Sequence, residues 1–107
     1  MNRDPVVVDL DAVLEAAGSV EDPEIRRTLA DLELMDGAEV DSDGNVTVHY
    51  HLTSPLCPSA FAVQIGREVR RRVMAVAGVT GARVAIQDHF IAAEISRLVN
   101  EDEAVSA

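Results

Sequence analysis

Between Asn45 and Gln87 the hydrophobic period changes twice, and this restricts the fold more than any other feature of the chain. Val46, Val48, Tyr50 and Leu52 alternate with Thr47, His49, His51 and Thr53, the period of two of a half-buried strand. From Pro58 to about Ala77 the residues Phe61, Ile65, Val69, Val73 and Val76 recur at helical spacing, and Gly78 supplies a stop. Ala82 to Gln87 reads as a strand again. Strand, helix and strand in this order favour a right-handed crossover within one sheet.

The flanking segments complete the pattern. Asp9 suits the N-cap of a helix over about 10–20, with Leu10, Val13, Leu14, Ala17 and Val20 on one side. Asp22-Pro23 ends it, because the residue before Pro avoids helical angles. Residues 24–32 fit either a second short helix or a turn. Leu34 to Val40 reads as a strand, and Asp41-Ser-Asp-Gly-Asn45 is a hairpin turn signal. Asp88 is placed to cap a last helix to about Asn100, with Ile91, Ile95, Leu98 and Val99 inward. Residues 1–8 read as a loose lead-in and the acidic tail 101–107 as frayed. The order is α(α)ββαβα. The expected fold is a two-layer α+β domain, with a small mixed three-stranded sheet and helices packed on one face.

Composition narrows the function. A chain of 107 residues fits one domain, its core about 10–87 with a C-terminal helix at about 88–100. It is 48% apolar but only 3% aromatic, so the core must be built from aliphatic side chains. A formal charge of −10 argues against nucleic acid as a partner. All nine basic residues are Arg, which excludes Schiff-base lysine chemistry. A single Cys forms no internal disulfide, and no apolar signal segment or membrane-length run is present. A cytoplasmic protein with no membrane partner is expected.

That cysteine, Cys57, stands where strand gives way to helix, with Pro58 suited to the first helical position. The N–H groups and positive dipole end of a helix stabilise a thiolate, which is both nucleophile and soft-metal ligand. A small packing residue is the plain alternative. His49 and His51 share a strand face pointing away from the helices, and fit exposed polar residues, a dimer interface or part of a metal site. Arg67, Arg70, Arg71 and Arg72 form a basic cluster that suits a phosphate or acidic partner, or ion pairing along a solvated face. Asp22 and Glu24 flank Pro23 as acid/base groups, as hard ligands for iron, or as a helix stop with a helix-start carboxylate.

Taken together, Val20-Glu-Asp-Pro-Glu-Ile25, Leu29-Ala-Asp-Leu-Glu-Leu-Met35, Gly44-Asn-Val-Thr-Val48, Leu52-Thr-Ser-Pro-Leu-Cys-Pro58 and Ala77-Gly-Val79 resemble, in order and spacing, the metal–sulfur cluster biosynthesis family. These are small iron–sulfur cluster assembly domains, among them those similar to phenylacetate-degradation protein D and the cytosolic iron–sulfur targeting factors. The resemblance covers about residues 10–87. It implies that Asp22, Glu24, Thr53, Ser54 and Cys57 line one pocket, with Cys57 as ligand of iron or of a labile cluster. One cysteine per chain implies a cluster bridging two chains, as in a homodimer, or one completed by a small thiol or a partner's ligand. His89 follows the third strand, either as a nitrogen ligand or as a helix-start residue.

Two departures stand out. The family's glycines after D-P-E-[LI] and within D-L-G-L are Arg26 and Glu33 here. Either the pocket is reshaped or the loop needs no positive φ. The family's Pro- and Trp-rich C-terminal stretch is replaced by Asp88-His89-Phe90 and a helix. The resemblance implies a non-enzymatic accessory protein that carries or targets iron or a cluster to a client apo-protein, or serves the assembly machinery. The alternative is a metal-free module that docks on a metalloenzyme such as an oxygenase. A thiol enzyme would need His89 as base. Against it, Asp22 and Glu24 would raise a bare thiol's pKa.

Overall fold

The computed structural model describes residues 7–52, 59–87 and 92–105. Six elements follow one another: α1 (Leu10–Gly18), β1 (Met35–Val40), β2 (Asn45–His51), α2 (Ser59–Met74), β3 (Gly81–Gln87) and α3 (Ala92–Val105). The sheet order is β1-β2-β3. The β1–β2 pair is antiparallel with a bulge between Met35 and Gly37. The β2–β3 pair is parallel and in step from Asn45 opposite Gly81 to His51 opposite Gln87. This is the mixed α+β architecture that the alternating periods predict.

Side-chain alternation decides which face is covered. Val46, Val48 and Tyr50 of β2, and Ala82, Val84 and Ile86 of β3, are buried. Helix α1 packs against β1, and α2 and α3 pack against β3. Val13 and Ala17 of α1, Ile65, Val69 and Val73 of α2, and Ile95 and Val99 of α3 join the same core. Asp9 caps α1 as expected, its Oδ1 accepting from the Asp11 N–H at 2.9 Å and the Ala12 N–H at 3.4 Å.

Helix α3 differs from expectation in two ways. It runs to Val105 where fraying was expected, helped by an i,i+4 pair between Arg97 and Glu101 at 2.8 Å. Leu98, expected inward, is 40% exposed, because Ile95 and Val99 set the buried stripe. The proposed cap Asp88, and Ile91, lie outside the described residues.

Helix α3 also closes the far edge of the sheet. Asn100 Oδ1 accepts from the Val84 N–H at 3.0 Å, and its Nδ2 donates to the Val84 carbonyl at 3.1 Å. Ser96 Oγ accepts from the Ile86 N–H at 3.0 Å. Two side chains thus act where a fourth strand's backbone would. Arg70 ties the layers together, donating from Nε to the Ala82 carbonyl at 2.8 Å and from Nη1 to the Val99 carbonyl at 2.9 Å. It is only 9% exposed, which removes it from the basic surface cluster that its position in the sequence suggests.

Candidate functional site

The segment between α1 and β1 folds as a series of turns with no helix. The Val20 carbonyl accepts from the Leu29 N–H at 2.8 Å, and the Asp22 N–H donates to the Arg27 carbonyl at 2.9 Å. Asp22 sits at the centre of the loop and is 2% exposed. Its Oδ1 accepts from the Glu24 N–H at 2.8 Å and the Ile25 N–H at 3.2 Å, and its carbonyl accepts from the Arg26 N–H at 2.7 Å. Burying an aspartate requires such partners. The carboxylate therefore organises the loop, whatever else it does. Glu24, two residues on, is exposed.

Arg26 and Glu33, which stand where the family has glycine, keep left-handed backbone angles, with φ of 65° and 58°. Of the two alternatives for these positions, the one in which the loop needs no positive φ is therefore excluded. The chain adopts the conformation glycine would favour while bearing a Cβ, at a cost of roughly 1 kcal/mol per residue.

This loop and α2 form the two walls of an open cleft of about 750 Å³. Val20, Glu21, Pro23 and Arg26 line it from the loop, and Ala60, Gln64 and Ile65 from the start of α2. Arg67, Glu68, Arg71 and Arg72 continue that wall. Glu68 Oε1 accepts from Arg71 Nε at 3.1 Å, and Glu68 Oε2 from Arg72 Nε at 2.8 Å. The two guanidiniums, Arg71 first, hold the Glu68 carboxyl down at about 2. Arg72 Nη1 also donates to the Ser19 carbonyl at 3.0 Å and to Ser19 Oγ at 2.9 Å, anchoring α2 to the end of α1. Ion pairing, one of the two readings of the basic cluster, thus holds for Arg71 and Arg72.

Of the residues expected to share a pocket, Asp22 and Glu24 belong to this loop. Thr53, Ser54, Cys57 and His89 lie outside the described residues, as does Pro58. Ala60, three residues after Cys57 in the sequence, lines the cleft, as does Pro23.

On the opposite face of the sheet, His49 Nε2 lies 2.9 Å from Glu39 Oε1, and His51 Nδ1 lies 3.0 Å from Asp36 Oδ2. Each histidine has its own acidic partner on β1. Among the described residues no three His, Cys, Asp or Glu side chains gather as a metal-holding group. Sequence reasoning missed these pairs, although the hairpin register aligns β1 with β2 and brings Asp36 and Glu39 to the histidines' side.

A family model described as iron–sulfur cluster assembly protein matches residues 10–86, from the first residue of α1 to within one residue of the end of β3. The chain belongs to the iron–sulfur cluster assembly protein family. Among relatives of this assembly domain, a maturation auxiliary factor for Fe–S proteins from Porphyromonas gingivalis is 42% identical over 67 residues, 62% of this chain and 61% of that protein. An iron–sulfur cluster carrier protein from Mycobacterium tuberculosis is 35% identical over 79 residues, 73% of this chain. The match spans only 20% of that carrier's length. The crystal structure of a domain of unknown function from Bacillus anthracis superposes with a TM-score of 0.65 at 22% identity, covering 91% of each chain. That likeness supports the fold of the assembly domain.

Proposed function

We propose that this protein is a cytoplasmic accessory factor that carries or targets a labile iron or iron–sulfur group to a client apo-protein through Cys57. The observation that carries this reading is the family match across α1 to β3; within that span Leu52-Thr-Ser-Pro-Leu-Cys-Pro58 resembles the cysteine-bearing stretch expected of the family. The turn-bound Asp22-Pro23 loop lying across the cleft from the start of α2 supports it. A thiolate just ahead of a helix is stabilised by the helix N–H groups. The metal group is cargo, so weak and open ligation suits transfer better than storage. In this reading Thr53, Ser54, Asp22 and Glu24 border the cargo. His89 or a second chain's cysteine completes its ligands, and a reducing compartment keeps the single thiol available.

The test is iron and sulfide per chain after anaerobic purification, with absorption spectra, for wild type beside Cys57→Ser. Substoichiometric iron and visible absorption in wild type alone are expected. Equal, empty preparations even after ferrous iron and sulfide are supplied would overturn the carrier reading and leave a metal-free docking module.

A further inference from the structure

The cleft regroups the arginines in a way the sequence does not suggest. Arg70 leaves the surface for the core, and Arg26 joins from a loop more than forty residues away in the chain. Four guanidiniums line the cleft against the two carboxylates of Glu21 and Glu68. The whole chain carries a formal charge of −10, so this is a basic island on an acidic protein. Arg26 occupies its place at a φ of 65°, a conformation that disfavours any side chain, yet the position bears a long cation on the cleft wall.

We propose that this cleft docks an acidic peptide segment of the partner protein. Planar guanidinium forks match carboxylates bidentately. Val20, Pro23, Ala60 and Ile65 add apolar wall between the charges, which suits a segment mixing Asp or Glu with aliphatic side chains. A phosphate-rich ligand fits less well, because Glu21 and Glu68 would face its denser charge. The inference deepens the proposed function by naming the chemistry that recognises the client, and rests on that reading only for the partner's identity. Docking itself needs no metal.

The experiment uses metal-free full-length protein and a fluorescein-labelled twelve-residue peptide of Glu, Asp and Leu, with a Gln, Asn and Leu peptide as control. Saturable anisotropy with the acidic peptide alone is expected, weakening with salt. Arg26→Glu with Arg71→Glu should weaken binding by about tenfold or more, the loss of at least one charge-assisted hydrogen bond. Amide shift mapping on wild type should place the perturbations at 20–26 and 60–72, which reads the site even where the double variant folds poorly. Absence of saturation, equal binding by a folded double variant, perturbations centred on His49 and His51, or displacement of the peptide by millimolar inorganic phosphate would each overturn the proposal. Cys57→Ser should bind the peptide unchanged. Failure of the wild-type protein to load iron, with its peptide binding intact, therefore sinks the carrier reading alone, and iron loading by a wild type that does not bind the peptide sinks the docking site alone.

Discussion

Two loops of this protein reach left-handed backbone angles by opposite routes. In the turn from Asp41 to Asn45, Gly44 takes the positive φ, at 89°. Asp41 Oδ1 accepts from the Asp43 N–H at 2.8 Å and the Asn45 N–H at 3.0 Å. Every residue there is one that turn chemistry selects. In the segment from Val20 to Leu34, Arg26 and Glu33 take the same region without glycine, and a buried aspartate and cross-loop backbone bonds hold them there. The first loop carries a turn signal in its own residues, with the Thr80 N–H and hydroxyl bonding the Gly44 and Asp43 carbonyls as well, whereas the second lacks the glycine signal and is held by its hydrogen bonds. Local propensity is readable in a turn where tertiary contacts agree with it, as they do at Gly44, and not where they override it.

The glycine-built turn is most sensitive at Gly44. A Cβ there would lie 2.7 Å from the Gly78 carbonyl oxygen as well as requiring positive φ. Gly44→Ala should cost about 3 kcal/mol in urea unfolding, from overpacking plus backbone strain. Asp22→Ala should cost about 2 kcal/mol by removing the acceptor of two backbone N–H groups, and Asp22→Asn should restore most of it. Asp22→Asn also separates the loop's architecture from any role of the charge in iron loading.

Arg26→Gly and Glu33→Gly should each gain at most about 0.5 kcal/mol, relief of left-handed strain less the added freedom of the unfolded chain. A loss at either position would show that the side chain's contacts outweigh the strain. The smallest effect lies in acid. Glu68, held at about 2 by Arg71 and Arg72, adds stability that is present above its ordinary value of 4.5 and is lost as pH falls toward 2. Asp41, lowered first by the Asn45 N–H, acts with the same sign from 3.8 downward. Glu68→Gln and Asp41→Asn should each flatten the acid limb of the stability profile, measured by chemical denaturation between pH 5 and pH 2.

What was legible in the sequence follows the same division. The strand from Asn45, the stripe of Ile65, Val69 and Val73, the Asp9 cap and the Gly44 turn each carry their signal within a few residues, and all are present. Arg70 was misread as surface because charge outweighed spacing, yet Ala62, Gly66, Val69, Arg70 and Val73 form one helical stripe. A Cβ at Gly66 would lie 2.7 Å from Val99 Cγ2, a close approach of α2 and α3 that brings Arg70 within reach of the Val99 carbonyl. The cleft was least legible, because Arg26 and Arg71 meet only through the fold. The cysteine and its neighbours were read by resemblance to a family motif and lie outside the described residues.

The side chains of Ser96 and Asn100 have a bearing on biosynthesis. They belong to an element that follows β3 in the chain, and they take up backbone groups of β3 that are synthesised before them. Until α3 has emerged, a nascent chain holds a sheet with a raw outer strand, the form most open to pairing with another nascent copy. Helix α3 is therefore also the release from that hazard, and a product stalled or truncated ahead of it would carry the cleft-lining residues and an unguarded edge together.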